Sequence, residues 1–168
     1  MAVTFDGTWQ IDTGKSRVWD PDQEKYIADE VGDEIITIRT EGDVQDYEVL
    51  LGVDPTVRMG YTTRFDDREW ARYEVREVIG RGDEAAMAGF RQRTMSNARF
   101  TVGTSYGLVR SVYVDERTHY RICKDEESGE AQYVMLRRLA EDGQSYGAYV
   151  LRANGLLGRE RHFVRLEK

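Results

Sequence analysis

Hydrophobic and polar positions alternate with a period of two through most of the chain. In the first segment, Val3, Phe5, Gly7, Trp9 and Ile11 share one face, and Thr, Asp, Thr and Gln stand between them. Successive side chains of a β-strand point to opposite sides, so this pattern is typical of an antiparallel strand that buries one face. The beginning of the chain is therefore predicted to form a strand with one dry side.

The same alternation recurs between turns that contain Gly, Asp or Pro. It predicts about ten strands at spacings of roughly ten residues. After the first segment, the predicted strands are 35–40, 44–51, 56–65, 69–79, 105–114, 118–124, 131–139, 146–153 and 160–166. This number of short strands suits a closed barrel or a sandwich, and closure of a barrel removes exposed strand edges.

The segment 69–79 separates its two faces cleanly. Tyr73, Val75 and Ile79 share one face, and charged residues occupy the other. Because a half-buried strand turns its charged face to solvent, we expect these three residues to point into the protein.

Two later strands carry polar chemistry on both faces. In the strand 105–114, one face holds Arg110 and the other holds Tyr113, and in the next strand the choice lies between Tyr120 and His119. Either choice buries a polar group, which needs a hydrogen-bonding partner. The pattern leaves open which faces point inward.

One helix is predicted to interrupt the strands, within the inserted segment 83–97. Asp83 is a residue type that caps helix N-termini, and the helix it begins runs over 84–95 with Met87 and Phe90 on one side. The helix either covers the mouth of a barrel as a lid or plugs one end of it. We favour a lid, because long connections in compact domains are often functional.

The opening run Phe5-Asp-Gly-Thr-Trp9, followed by Lys15-Ser16, resembles the first strand of calycin barrels. That group comprises the lipocalins, the fatty-acid-binding proteins and their bacterial lipocalin-like relatives. The closing run 160–167 is similar to the last strand of the same barrels. The resemblance implies an all-β, closed antiparallel barrel of about eight to ten strands with one inserted helix, whose interior either is filled by side chains or holds one small ligand.

The resemblance also implies how one end of the barrel is closed. In calycins, a Gly-x-Trp on the first strand places the tryptophan across that end, beneath an arginine from the last strand. Here the matching residues are Gly7, Trp9 and either Arg165 or Arg161.

Composition narrows the class of protein. With 168 residues, 33% of them charged and 40% hydrophobic, the chain suits one globular domain, 1–168. A net charge of −7 disfavours nucleic acid, which requires basic surface. Cys123 is the only cysteine, so no internal disulfide forms, and no segment resembles a signal peptide or a membrane span. We expect a cytoplasmic protein without membrane contact, and a homodimer formed through an outer strand face is compatible with the pattern.

No cofactor or metal is expected. The sequence contains no Gly-x-Gly-x-x-Gly, Walker or nucleophile-elbow motif, and the two histidines show no metal-ligand spacing. Cys123 has no activating base beside it and is expected to be inert.

The predicted interior is rich in Tyr, His and Arg, which suits a ligand with a phenol, carboxylate or carbonyl group better than an acyl chain. The residues predicted to bind this ligand are Tyr47, Tyr61, Tyr73, Arg110, Tyr113, Tyr133, Tyr149 and Arg152. His162, His119 and Tyr120 are the candidates for acid–base catalysis, and His162 is favoured if it shares the interior with Val164.

Three functions are compatible with these features. The first is binding of a small aromatic or amphipathic molecule in the barrel cavity. The second is a cofactor-independent lyase, isomerase or cyclase for a phenolic or carbonyl compound, with Arg110 or Arg152 holding an anionic oxygen. The third is an interaction module with Trp19, Trp70 and Tyr106 on its surface. The sequence favours the first.

Overall fold

The computed structural model describes residues 4–94 and 100–166. Within these ranges the chain forms twelve strands and one helix. The elements are β1 (Gly7–Ile11), β2 (Arg17–Asp20), β3 (Lys25–Ala28), β4 (Glu34–Glu41), β5 (Val44–Leu51), β6 (Thr56–Arg64), β7 (Ala71–Ile79), α1 (Glu84–Thr94), β8 (Ser105–Asp115), β9 (Thr118–Lys124), β10 (Ala131–Leu139), β11 (Ser145–Arg152) and β12 (Leu157–Arg165). Val3 and the predicted helix end at 95–97 lie outside the described residues.

Ten of the strands close into an antiparallel barrel. Strands β1 and β4 to β12 pair in that order, and β12 pairs back to β1, with Trp9 opposite Arg165 and Ile11 opposite Phe163. The expected closed all-β barrel with one short helix is therefore confirmed, and the alternative of a sandwich is wrong.

The hairpin β2–β3 was not predicted. After β1 ends, a turn at Asp12 to Ser16 returns the chain to β12, where Val18 pairs with Arg159. Each strand of the hairpin has only four residues, which is too short for a period-two pattern to emerge.

A β-bulge between β6 and β7 corrects one expected side-chain orientation. Arg58 pairs with Glu77 but the next residue, Met59, pairs with Val75, so β7 holds one extra residue. A bulge exchanges the faces of the residues beyond it. Tyr73 and Val75 are buried as expected, whereas Ile79 is 41% exposed and Val78 packs against the core instead.

Trp9 closes one end of the barrel. Its side chain is fully buried, its Nε1 donates to the carbonyl oxygen of Phe5 at 2.8 Å, and the Arg165 guanidinium lies over its ring. The arginine implied by the calycin resemblance is thus Arg165 and not Arg161. A Cβ at Gly7, whose φ is +136°, would lie 2.5 Å from Arg165 Nη1, so this approach requires glycine.

The helix α1 lies beside the β5–β6 turn and packs on the hydrophobic core there. Asp83 caps it by accepting a hydrogen bond from the amide of Ala86 at 2.9 Å. Met87 and Phe90 are buried, and the Phe90 ring contacts Phe100 edge-on at 4.9 Å between centroids. The helix is thereby packed on the barrel through the hydrophobic side that its sequence pattern indicated.

Candidate functional site

The barrel encloses a cavity of about 120 Å³. An apolar cavity of about 150 Å³ holds benzene, so this space suits a ligand with one small ring. Its apolar wall includes Ile36, Val49, Met59, Phe100 and Phe163. Its polar and ionisable wall residues are Glu34, Tyr47, Tyr73, Tyr106, Arg121, Tyr133, Arg137, Tyr146, Arg159 and Arg161.

Arg121 stands in a cage of tyrosines. The carbon of its guanidinium lies 5.1 Å from the ring centroids of Tyr47 and Tyr73 and 5.6 Å from those of Tyr61 and Tyr133. Aromatic faces attract a cation, and four of them stabilise this one in an interior from which water is excluded. Burial raises the pKa of Tyr73 and of Tyr133 well above 10, which keeps both phenols neutral.

The hydrogen-bonding capacity of Arg121 is largely unused. Its Nη1 donates to the Tyr61 hydroxyl at 3.5 Å and its Nη2 to the Met135 sulfur at 3.6 Å, which are both long contacts. Its Nε has no hydrogen-bond partner. Among the described residues no carboxylate forms an ion pair with Arg121, although the side chain is only 7% exposed.

Arg137 is a second buried arginine of the wall. It is fully buried, and its Nη2 donates to Gln45 Oε1 at 2.6 Å. Its Nε and Nη1 have no partner among the described residues. The guanidinium lies 5.7 Å from the centroid of Tyr47, so that one tyrosine ring contacts both Arg121 and Arg137.

The other two interior arginines are neutralised by carboxylates. Arg161 contacts Asp29 at 2.7 Å and Glu34 at 2.6 Å, and Arg159 contacts Asp29 at 3.3 Å. Burial acts to raise the pKa of Asp29, but the charges of Arg161 and Arg159 outweigh it and lower that pKa. Burial raises the pKa of Glu34, and Arg161 opposes that shift.

The interior therefore carries an imbalance of charge. Two carboxylates face Arg159 and Arg161, while Arg121 and Arg137 have no acidic counterpart within ion-pair distance in the described part of the chain. Removing a charge from water costs several kcal/mol unless a partner of opposite charge compensates. Two such cations therefore lower the stability of the fold, and they attract an anion into the interior.

Some of the residues predicted to bind a ligand are brought together here. Tyr47, Tyr73 and Tyr133 line the cavity, and Tyr61 stacks on Tyr47 at 4.9 Å while it contacts Arg121. The arrangement places these four phenols around one guanidinium. Their contact with a ligand stays a prediction.

His119 points inward but does not line the cavity. It packs between Phe5 at 4.6 Å and Phe65 at 4.8 Å, close to the Trp9 end of the barrel. Burial, together with the charge of Arg137, lowers the pKa of His119 to about 3. The imidazole is therefore neutral at physiological pH. Because His119 does not line the cavity, it is not positioned to exchange a proton with a ligand there.

His162 and its neighbours correct the expectation of a catalytic histidine in the interior. The inward residues of β12 are Arg161 and Phe163, so His162 lies on the outer face, where its Nε2 contacts Glu160 Oε1 at 2.9 Å. Val164, which was expected inside, is 39% exposed. Tyr120 alternates with His119 and likewise lies on the outer face.

Four predicted ligand contacts also lie outside the cavity. Arg110 donates to the carbonyl of Asp67 at 2.7 Å, because Ser111 takes the inward position of β8. Tyr113 lies at the end of β8 and is 45% exposed, and Arg152 is exposed at the end of β11. Tyr149 alternates with the inward Ala148 and contacts His162 on the outside.

The sequence pattern did not single out the buried arginines of the cavity wall. Arg121, Arg137 and Arg161 each lie two positions before a buried residue of the same strand, Cys123, Leu139 and Phe163, and this shared face is the signal that places them inside. Tyr106, expected on a protein-facing surface, lines the cavity instead. Trp70 lies on the outer face beneath Arg110 and Lys124, and Trp19 contacts Tyr26 in the hairpin.

The ten-stranded closed barrel has a calycin-like fold. Twelve chains of solved structures match it. One is the Schistosoma mansoni fatty acid binding protein in complex with arachidonic acid, with a TM-score of 0.59 and 11% sequence identity, covering 99% of this chain and 100% of that one. No model of a protein family matches the sequence, and no curated protein is significantly similar to it.

Residues 4–94 and 100–166 contain neither a membrane-spanning helix nor a metal-binding cluster. No helix there has the length and apolar character needed to cross a bilayer. No cluster of three or more His, Cys, Asp or Glu side chains there has a geometry that could hold a metal ion.

Proposed function

We propose that the barrel cavity binds a small organic molecule with an aromatic ring and an anionic group. The observation that carries this proposal concerns Arg121, whose guanidinium is buried in the cavity wall and, among residues 4–94 and 100–166, has no carboxylate in contact and no hydrogen-bond partner at Nε. A carboxylate would accept from it in the bidentate geometry that arginine favours, and a phenolate would accept through its single oxygen. The negative charge of the ligand then neutralises the Arg121 guanidinium.

The tyrosines around Arg121 support the aromatic part of the ligand. Tyr47 and Tyr61 are stacked with an interplanar angle of 15°, and Tyr73 stands nearly perpendicular to both. Phenols of this kind offer both a ring face and a hydroxyl to a bound ring. A cavity of about 120 Å³ suits one ring better than a long acyl chain.

The structural neighbour supports the same type of function. The Schistosoma mansoni protein of similar fold is a fatty acid binding protein and was solved with arachidonic acid. The shared barrel supports an interior ligand here as well, while a cavity of about 120 Å³ lined by arginines and tyrosines supports a smaller and more polar ligand than arachidonic acid.

The proposal is tested by thermal unfolding with benzoate, 4-hydroxybenzoate, phenol and arachidonate at equal concentrations. A ligand that binds only the folded state raises Tm by mass action. We expect the two aromatic acids to raise Tm most, and Arg121→Met to abolish that rise. Arg110→Met, which removes an arginine from the outer face, is the matched control and should keep it. No rise with any probe, or a rise that survives Arg121→Met, contradicts the proposal.

A further inference from the structure

We infer that the ligand carries two acidic groups and that Arg137 binds the second of them. This rests on the proposed function, because it takes the same cavity as the binding site. Arg121 alone would be satisfied by one acidic group. The wall, however, contains a second buried guanidinium, and no carboxylate within the described ranges forms an ion pair with it.

Arg137 has free donors. A guanidinium carries five N–H groups, of which Nη2 supplies one to Gln45. The Nε and Nη1 of Arg137, which bear three of the others, have no partner in the described part of the chain. Arg137 is fully buried, so bulk solvent does not provide partners either. These N–H groups lie in the plane of the guanidinium, and each can donate a charge-assisted hydrogen bond to an oxygen of a carboxylate or a phosphate.

Arg121 and Arg137 act as two anchoring points and not as one. Arg137 pairs across the ladder with His119, and Arg121 lies two residues further along β9. Diagonal neighbours of this kind have Cα atoms about 7 to 8 Å apart. Arg121 contacts the caging tyrosines, whereas Arg137 contacts Gln45 and Phe5. Each guanidinium therefore has its own surroundings beside the ring of Tyr47.

The number of charged side chains in the interior indicates the class of ligand. Asp29 and Glu34 balance Arg159 and Arg161, which leaves two positive charges in the interior. A monoanion would leave one of them buried and unpaired, which is unfavourable in an interior without water. A small dicarboxylate, or a phosphorylated small molecule of the same charge, neutralises both. The chemistry common to these ligands is two negative charges on a short, rigid skeleton.

Calorimetric titration with two matched pairs of probes tests the inference at pH 7.5 and constant ionic strength. Butyrate and succinate differ by a second carboxylate on an aliphatic chain, and benzoate and isophthalate differ by one on a ring. We expect the dianion of each pair to bind at least tenfold more tightly than the monoanion. Arg137→Met should remove this advantage and change the affinity for benzoate or butyrate less than threefold.

The neighbouring Arg138→Met provides the control, because Arg138 lies on the exposed face of β10. It should retain the preference for dianions. Arg137→Gln is a second variant that keeps a polar group beside Gln45 and should lose the preference in the same way, so a folding defect in Arg137→Met does not decide the result.

The outcomes separate the two proposals. Equal affinity for both members of each pair, or an equal loss for both in Arg137→Met, overturns the dianion and leaves the cavity as a site for a monoanion. Failure of all four probes to bind the wild-type protein counts against the proposed function itself, and the dianion fails with it.

Discussion

The guanidinium of Arg165 lies 4.0 Å from the centroid of the Trp9 ring and seals one end of the barrel. The same side chain donates to the carbonyl oxygens of Thr4, Asp6 and Gly143, at 2.8, 2.5 and 2.9 Å. One residue of the last strand thereby joins the beginning of the chain to the β10–β11 turn. These side-chain hydrogen bonds of Arg165 close the barrel in addition to the backbone pairing of β1 with β12.

Arg165→Met is expected to lower the free energy of unfolding by about 2 to 4 kcal/mol, because it removes a cation–π contact and leaves three carbonyl oxygens without their donor. Urea unfolding followed by circular dichroism measures the loss. Arg64→Met, which breaks an exposed ion pair with Asp43, is the control and should leave stability nearly unchanged. A similar effect of both variants contradicts the role assigned to Arg165.

Arg121→Met and Arg161→Met are expected to change stability in opposite directions. Arg121 has no acidic partner, so an apolar side chain of similar length should raise the free energy of unfolding of the ligand-free protein by about 1 to 3 kcal/mol. Arg161 is paired with Asp29 and Glu34, and its removal leaves Glu34 without this partner and Asp29 with Arg159 alone, at a cost of about 3 to 5 kcal/mol. Denaturant unfolding of both variants measures the contrast. Destabilisation by Arg121→Met would indicate a structural cation instead of a binding residue.

His119 is expected to make the protein less stable as the pH falls. Its pKa is lowered to about 3 in the folded state, whereas the unfolded chain protonates it near its ordinary value of 6.5. Unfolding therefore takes up a proton between these two values, and stability declines by up to about 1.4 kcal/mol for each pH unit in that window. Above pH 6.5 both states hold the neutral imidazole, and the effect is absent.

Urea unfolding at pH 7.5, 6.0 and 5.0 measures this decline. His119→Phe, which fits the cluster with Phe5 and Phe65, should flatten the pH dependence, and His162→Gln on the outer face should keep it. The same slope in wild type and His119→Phe would show that other groups cause the decline.

Gly52→Ala is expected to loosen the helix α1. Gly52 has a φ of +87°, and a Cβ there would lie 2.6 Å from Phe90 Cε2 and 2.7 Å from the carbonyl oxygen of Pro55. Gly155 has a φ of +82° and open space around it, so Gly155→Ala reports the backbone strain alone, about 1 to 2 kcal/mol. We expect Gly52→Ala to lose more than Gly155→Ala, because overpacking adds about 1 to 3 kcal/mol. Faster amide hydrogen exchange in α1 should accompany the loss.

Much of the barrel was predictable from the sequence, because it depends on local chemistry. Alternation along each strand, Gly-containing turns and the cap at Asp83 are properties of neighbouring residues, and the structure places nine predicted strands close to their expected bounds. The bulge that turns Ile79 outward was not predictable, since it depends on how β6 pairs with β7. The hairpin β2–β3 depends in the same way on its pairing with β12.

The proposed binding site was likewise predictable only in part. The sequence by itself determined that the interior would be polar and rich in tyrosine, since Tyr47, Tyr73 and Tyr133 alternate with outward residues. It could not determine that Arg121 and Arg137 would be left without acids while Asp29 and Glu34 meet Arg159 and Arg161. Those pairings join residues more than a hundred positions apart, so only closure of the barrel decides which charges meet. The uncompensated charge on which the proposed ligand rests is a product of the tertiary structure.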